Sequence, residues 1–271
     1  MKIDKSSLLL ILILLIGLSL LLYPSFSEYW NSFTSTRAIT SYNEQIADLD
    51  EERYQEIWAA AYEYNASLLK RFNSYLLSPQ QEKEYHELLN ITGNGLMGYI
   101  EIPSIGVELP LYHGTEEPVL QIAIGHLEWT SLPVGGESSH CVVSGHRGLP
   151  SARLFTDLDN VQIGDVFMMN IMGETLTYEV DQIKIVEPHQ TSDLLIVEGE
   201  DYCTLVTCTP YGINSHRLLV RGTRIENLPE RTNIRVTADA IQIEPLIIAP
   251  FVALPMLLAL LVALLSPKKK K

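Results

Sequence analysis

The stretch Thr204-Leu205-Val206-Thr207-Cys208-Thr209-Pro210-Tyr211-Gly212-Ile213-Asn214-Ser215-His216-Arg217 carries the central fold signal of this 271-residue chain. Its first residues favour a pleated, half-buried β-strand, in which Thr204, Val206 and Cys208 share one face. The proline and glycine that follow break this strand, and the run from Arg217 to Arg221 predicts a second one. Antiparallel pairing of the two strands would place Cys208 and Arg217 at the same end of the sheet, across a short loop.

A thiol and a guanidinium at one sheet end, beside an open loop, are typical of a nucleophile site. The alternative is a core cysteine and a surface arginine, because most free cysteines are buried and inert. A cysteine nucleophile also needs a proton partner. Among the seven histidines, His146 is favoured because Gly145 precedes it at the end of a predicted strand. His126, which also follows a glycine, is its nearest rival, and the strand parity of His216 points that side chain the other way.

Two uncharged, apolar segments lie near the ends of the chain, at Ser6–Ser27 and Pro245–Pro267. A helix of about 20 apolar residues crosses a bilayer, so both segments are predicted membrane anchors. The first could also be a signal peptide, but Ser25-Phe26-Ser27 matches a cleavage site poorly. Lysines flank both segments on their outer sides, and positive flanks stay in the cytoplasm. The sequence therefore predicts cytoplasmic termini, with the intervening region on the extracellular face of the cell membrane.

The region between the anchors is strongly acidic. The whole chain has a net charge of −14, and the intervening part keeps 13 of 19 basic and 32 of 33 acidic residues, a net charge near −19. This charge argues against a nucleic acid partner and suits a basic or lysine-bearing protein. Cys141, Cys203 and Cys208 are too few for two disulfides, so at least one thiol is free. A Cys141–Cys203 disulfide and two reduced core cysteines both remain open, and no zinc-binding spacing is present.

Composition and predicted secondary structure divide the chain into four regions. Residues 1–27 are the first anchor or signal segment, residues 28–98 a helical region and linker, residues 99–235 a strand-rich domain, and residues 236–271 the second anchor with its basic tail. The helical region carries apolar residues at three- or four-residue steps and is interrupted at Ser78-Pro79. Short, regularly spaced strands after Tyr99 predict an all-β barrel or sandwich.

Three motifs resemble those of one protein family, the sortases. Thr204-Leu205-Val206-Thr207-Cys208 is similar to the family's Thr-Leu-x-Thr-Cys signature, and Ser144-Gly145-His146-Arg147-Gly148-Leu149-Pro150 with Arg217 completes its Cys, His and Arg set. The blocks Leu154–Leu158, Gly125–Glu128 and Ser131–Gly136 resemble those of class C, the pilus-assembling sortases. An N-terminal helical segment combined with a C-terminal anchor does so as well.

The resemblance implies a mainly β protein, a sortase-type eight-stranded β-barrel with an N-terminal helical segment and flanking transmembrane helices. It also implies a cysteine transpeptidase. Cys208 would attack a Leu-Pro-x-Thr-Gly-like sorting signal, and a lysine amine of a pilin subunit would resolve the thioester. His146 would move the protons and Arg217 would steady the substrate oxygen. No metal or organic cofactor is required.

One feature of class C is missing from the sequence. These enzymes usually carry an Asp-Pro-aromatic lid in the N-terminal region, whereas Asp48 and Asp50 precede Leu49 and Glu51, and Pro79 follows Ser78. The lid is therefore absent, altered or displaced. Two other functions stay open: a housekeeping sortase that attaches proteins to the cell wall, and a non-catalytic, membrane-tethered binding module.

Overall fold

The computed structural model describes residues 5–69 and 76–227. The chain divides into two units, one containing residues 5–30 and the other residues 31–227. The predicted second anchor, at Pro245–Pro267 within residues 236–271, lies outside the described residues. So do residues 70–75, in the N-terminal region where the sequence left the fate of a lid open.

Four helices precede or interrupt the strands: α1 (Lys5–Ala47), α2 (Glu51–Leu68), α3 (Pro79–Glu87) and the short α4 (Glu117–Leu120). Apolar residues in the first part of α1, among them Leu9, Leu12 and Leu20, are exposed, and α1 is long enough to cross a membrane. Asp50 begins α2 by accepting a hydrogen bond from the backbone N–H of Arg53, at 2.8 Å. Ser78 begins α3 through reciprocal hydrogen bonds with Gln81.

Eight strands close into a barrel in the order β1-β2-β3-β4-β7-β8-β6-β5. The pairs β2–β3 and β4–β7 are parallel, and the other neighbouring pairs are antiparallel. The strands are β1 (Leu96–Ile102), β2 (Val107–His113), β3 (Ile124–His126), β4 (Ser139–Ser144), β5 (Val166–Ile171), β6 (Glu174–Val186), β7 (Asp201–Thr209) and β8 (His216–Arg224). This arrangement confirms the mainly β, eight-stranded barrel with an N-terminal helical segment.

Successive residues of β7 face two different apolar clusters. Cys203 and Leu205 of β7 belong to the main core, whereas Val206 belongs to a smaller cluster on the other face. Cys141 and Cys203 lie opposite each other in the β4–β7 ladder, and both are buried, free thiols. Of the two states left open by the sequence, the structure has the reduced core cysteines.

The N-terminal helices pack directly on the barrel. The hydroxyl of the fully buried Tyr42 donates to the carbonyl of Met97 at 2.6 Å and accepts from the backbone N–H of Met172 at 2.9 Å. In α2, the Asn65 side chain forms a donor and an acceptor bond with the backbone of Leu132. These contacts hold the C-terminal part of α1 and helix α2 against the barrel.

Element boundaries differ from the sequence prediction in two places. Strand β1 begins at Leu96, three residues before Tyr99, because Gly95 turns the chain with a φ of +86° and Leu96 is already buried. The helical run also breaks at Asp50, whose side chain caps a new helix. The division into four regions otherwise stays a prediction.

Candidate active site

Cys208 and Arg217 meet at one end of the β7–β8 pair. The antiparallel register sets Cys208 directly opposite Arg217, which confirms the placement predicted from the sequence. Directly opposed residues point to the same face of a sheet, with Cβ atoms about 4.5–5.5 Å apart. Cys208 is a free, partly exposed thiol, unlike the two buried cysteines. It can therefore be reached by a substrate.

His146 follows the neighbouring strand, β4. The β4–β7 ladder pairs Ser144 with Val206, and the backbone N–H of Gly145 continues it by donating to the Val206 carbonyl at 3.0 Å. The Thr207 hydroxyl then donates to the Gly145 carbonyl at 2.7 Å. Extending this parallel register by one more residue, past the end of β4 at Ser144, would set His146 beside Cys208. The three predicted site residues thus lie at the same end of three adjacent strands.

Position 145 requires a glycine, because the ring of Phe155 occupies the space that a side chain would need. A Cβ there would lie 2.8 Å from the ring of Phe155, a fully buried side chain. The backbone N–H of Phe155 in turn donates to the His146 carbonyl at 3.1 Å. The glycine before His146 is therefore explained by close packing that fixes the histidine backbone.

One ring nitrogen of His146 has no hydrogen-bond partner among the described residues. It is the Nε2 atom, which is buried. This Nε2 atom lies 3.7 Å from Oε2 of the Glu117 carboxylate. That distance is longer than a hydrogen bond. A nitrogen in this state can protonate a leaving amine or accept a proton from an incoming one.

Arg217 carries a positive charge that the described residues leave uncompensated. Its Nη1 atom donates to the carbonyl oxygens of Asn214 at 3.3 Å and His216 at 3.1 Å. None of the ion pairs described within residues 5–69 and 76–227 involves Arg217. Two carbonyls therefore orient the guanidinium while its charge stays available for a substrate oxygen.

The rival histidines have structural partners instead. His126 is fully buried, with Nδ1 2.9 Å from the Tyr85 hydroxyl and Nε2 2.8 Å from the Ser131 carbonyl. His140 is held between the carbonyl of Leu195 and the hydroxyl of Thr204. His216 pairs with Thr209, one position away from the Cys208–Arg217 pair, so its side chain points to the opposite face, as its parity predicted.

An apolar layer supports the site on its own face of the sheet. It contains Val142 of β4, Val206 of β7 and Leu219 of β8, together with Val186 and Leu194. Leu127 and Trp129 pack against this layer. The three strands that carry the site residues are therefore joined by packing as well as by their hydrogen bonds.

Two further charged residues lie near the site and carry no clear signal in the sequence. Glu117 lies at the start of α4 and approaches His146. Arg147 directly follows His146, and its side chain is only 9% exposed. The Gly-His-Arg-Gly sequence indicates a role for the histidine only. The contacts of Arg147 are with segments distant in sequence, so they produce no local sequence pattern. Among the described residues, no group of three His, Cys, Asp or Glu side chains is arranged to hold a metal ion.

Comparison with known proteins identifies the family. The model of the sortase domain matches residues 100–225. Sortase D of Bacillus subtilis (strain 168) is 30% identical over 131 residues, which make up 47% of this chain and 63% of that protein. The matched region thus spans somewhat less than two thirds of this curated relative.

Solved structures extend the similarity beyond the barrel. The crystal structure of sortase C1 from Streptococcus agalactiae has a TM-score of 0.69 and 52% sequence identity, covering 71% of this chain and 100% of that one. The sortase C structure from Streptococcus pneumoniae has a TM-score of 0.65 and 45% identity, covering 71% and 99% of the two chains. With its barrel, its Cys-His-Arg row and these relatives, the chain belongs to the sortase family of cysteine transpeptidases, and within that family to class C.

Proposed function

We propose that this protein is a membrane-anchored transpeptidase that joins pilin subunits through a thioester on Cys208. The observation that carries this proposal is the row of strand ends in which Cys208 lies opposite Arg217 and beside the continuation of β4 at His146. A thiol, an imidazole and an unpaired guanidinium on one face supply a nucleophile, a proton carrier and a site for developing negative charge.

In the first step, Sγ of Cys208 attacks the carbonyl carbon of the Thr–Gly bond in a Leu-Pro-x-Thr-Gly-like sorting signal. The S–C bond forms and the carbonyl π electrons move onto oxygen, where the Arg217 guanidinium stabilises them. The C–N bond then breaks as the His146 imidazolium protonates the departing glycine amine. The products are a thioester on Cys208 and a free amine.

In the second step, a lysine amine of another pilin subunit attacks the thioester carbonyl. The C–N bond forms, the neutral imidazole of His146 removes the extra proton from nitrogen, and the thiolate of Cys208 leaves. An isopeptide bond joins the two subunits and the site returns to its starting state. Neither step requires a metal or an organic cofactor, because every proton and electron pair stays among substrate, thiol and imidazole.

Three observations support pilin as the substrate. The similar solved structures are of sortase C enzymes, and that of Streptococcus pneumoniae is described as informative on pilin substrate specificity. The acidic region between the predicted anchors suits a lysine-bearing acceptor. The exposed apolar helix α1 suits attachment to a membrane from which subunits are added. In this proposal the barrel faces outward, and both termini are cytoplasmic.

Incubation of the full-length chain, in detergent, with a sorting-signal peptide and lysine-bearing pilin subunits tests the proposal. Pilin ladders that resist boiling in denaturant are expected, with isopeptide bonds visible by mass spectrometry. Transfer to a cell-wall amine without ladders would instead favour the housekeeping sortase. A chain that binds the peptide without any covalent product would favour the binding module.

A further inference from the structure

We propose that Arg147 is a positioning residue, which holds the strand ends that carry His146 and Cys208 in their reactive arrangement. This inference rests on the proposed function, since it concerns the geometry of the same site. Arg147 is next to the histidine in sequence but touches neither reacting group in the described contacts. It instead joins three segments around them.

The first contact links the ends of β4 and β7. Nη1 of Arg147 donates to Oγ1 of Thr209 at 3.2 Å. Thr209 directly follows Cys208 and is 8% exposed. This hydrogen bond therefore connects Arg147, which follows His146, to Thr209, which follows Cys208. It lies beyond the last backbone hydrogen bond between β4 and β7.

The second contact fixes the guanidinium itself. Nη2 of Arg147 donates to the carboxylate of Asp159, in the short 3₁₀ helix Leu158–Asn160. A guanidinium with a side chain only 9% exposed needs such a partner, because an unpaired buried charge is strongly destabilising. The pairing also neutralises Arg147. The two arginines therefore have different roles, because Arg217 keeps a free charge and Arg147 does not.

The third contact reaches the loop between β7 and β8. Cζ of Arg147 lies 5.9 Å from the ring centroid of Tyr211. The same ring packs over Gly148, whose φ is +77° and where a Cβ would lie 2.8 Å from the ring. This loop also contains Asn214, whose carbonyl accepts from Arg217. The position of the Arg217 guanidinium is thus linked to Arg147 through the loop.

These contacts matter because the described hydrogen bonds between β4 and β7 stop before the site. The backbone N–H of Gly145 makes the last such ladder bond, and His146 and Cys208 lie beyond it. Beyond that point, Arg147 connects the two strand ends through Thr209. Displacement of a catalytic group by about 1 Å can cost about 10²-fold in rate, so loss of this connection should act mainly on kcat.

Two substitutions in the full-length chain in detergent separate positioning from stability. Arg147→Gln removes the charge and the fork. Arg147→Lys keeps a charge for Asp159 but cannot donate to Thr209 and Asp159 in one planar fork. Arg221→Lys is the matched control, because Arg221 also pairs with an aspartate, Asp181, and lies 4.1 Å from a tyrosine ring, that of Tyr202. It lies four residues from Arg217 along β8, roughly 13 Å away.

Steady-state cleavage of a sorting-signal peptide and thermal unfolding are measured for each variant. We expect kcat to fall about 10- to 100-fold in both Arg147 variants, with KM changed less than about threefold and the Arg221→Lys values unchanged. Arg147→Lys should unfold close to the wild-type temperature, yet show no recovery of kcat over Arg147→Gln. Recovery of kcat together with stability in Arg147→Lys, or wild-type kcat in either folded Arg147 variant, would overturn the inference.

A second readout does not depend on the sorting signal. The alkylation rate of Cys208 by iodoacetamide is followed by peptide mapping, which separates it from the buried Cys141 and Cys203. We expect this rate to change at least about threefold in both Arg147 variants and to stay constant in Arg221→Lys. If the wild type failed to process the peptide while this pattern held, the proposed function would fail and the positioning role would stand. Identical alkylation rates in all four proteins would contradict the positioning role.

Discussion

Cys208 and Arg217 face each other as a directly opposed pair across the antiparallel strands β7 and β8. The pair joins the most accessible thiol of the chain to an arginine whose described partners are two carbonyl oxygens. The opposition of the two residues follows from strand register, so it is built into the barrel. The contribution of each residue can therefore be measured by replacing it while the barrel stays folded.

Arg217→Lys should lower kcat/KM by about 10²- to 10³-fold. A guanidinium can hold the carbonyls of its loop and a substrate oxygen together, whereas an ammonium on a flexible stem cannot reproduce this planar fork. The measurement is kcat/KM for cleavage of the sorting-signal peptide, and thermal unfolding verifies that the variant is folded. Turnover within about threefold of wild type in a folded Arg217→Lys protein would remove Arg217 from the mechanism.

His146→Gln should affect amide and ester substrates differently. Departure of an amine requires protonation, whereas a phenol-type leaving group departs without it. Cleavage of the amide peptide should therefore fall about 10³-fold or more, while acylation of Cys208 by an activated ester of the same peptide should fall by about tenfold or less. Equal losses on both substrates would show that His146 acts on the thiol or the fold instead of the leaving group.

Tyr42→Phe should destabilise the barrel by about 1–3 kcal/mol, because both the Met97 carbonyl and the Met172 N–H lose their buried partner. This corresponds to a lowering of Tm by roughly 2–12 °C. Tyr54→Phe is a suitable control, since its hydroxyl meets Glu174 at 3.3 Å in an exposed position. Equal unfolding temperatures for Tyr42→Phe and wild type would show that the α1 contact contributes no stability.

Acid should weaken the protein partly through His113. Burial, followed by the neighbouring His126 and His86, lowers the pKa of His113 from its ordinary 6.5 to about 4. Between these values the unfolded chain binds a proton that the folded chain does not, so this contribution is complete above pH 6.5 and is lost as pH falls towards 4. The full effect is about 3 kcal/mol.

The measurement is urea unfolding of wild type and His113→Phe at pH 7 and pH 4. The difference between the two proteins isolates His113 from the other titrating groups. We expect the pH-dependent loss of unfolding free energy to be smaller by about 3 kcal/mol in His113→Phe. The same loss in both proteins would contradict the assignment.

The placement of Cys208 opposite Arg217 could be predicted from the sequence because both residues lie near the ends of strands with clear alternation. The parity of Thr204, Val206 and Cys208 and the break that follows were enough to bring Arg217 to the same sheet end. Selection of His146 over His126 needed more, since both follow a glycine. The structure separates them by the buried partners of His126, which come from α3 and from a loop.

The remaining features depend on contacts between segments distant in sequence. The pairing of Arg147 with Asp159 and Tyr211 joins three parts of the chain, and none of these residues carries a local signal for it. The break before α2 did have a signal, since Asp50 precedes two acidic residues in the first turn, as is typical of a helix start. The apolar periodicity continued across this position and concealed it.

Covalent chemistry at Cys208 is the central claim, and intact-mass spectrometry of the full-length chain tests it most directly. The chain is mixed with a Leu-Pro-x-Thr-Gly-containing peptide, with Cys208→Ala as the control. We predict a mass increase equal to the peptide that ends at threonine less one water, as a thioester requires. The adduct should be located at Cys208, be lost on addition of a lysine-bearing acceptor, and never form in Cys208→Ala. A folded wild-type chain that forms no such adduct, or an adduct that persists in Cys208→Ala, would contradict the account.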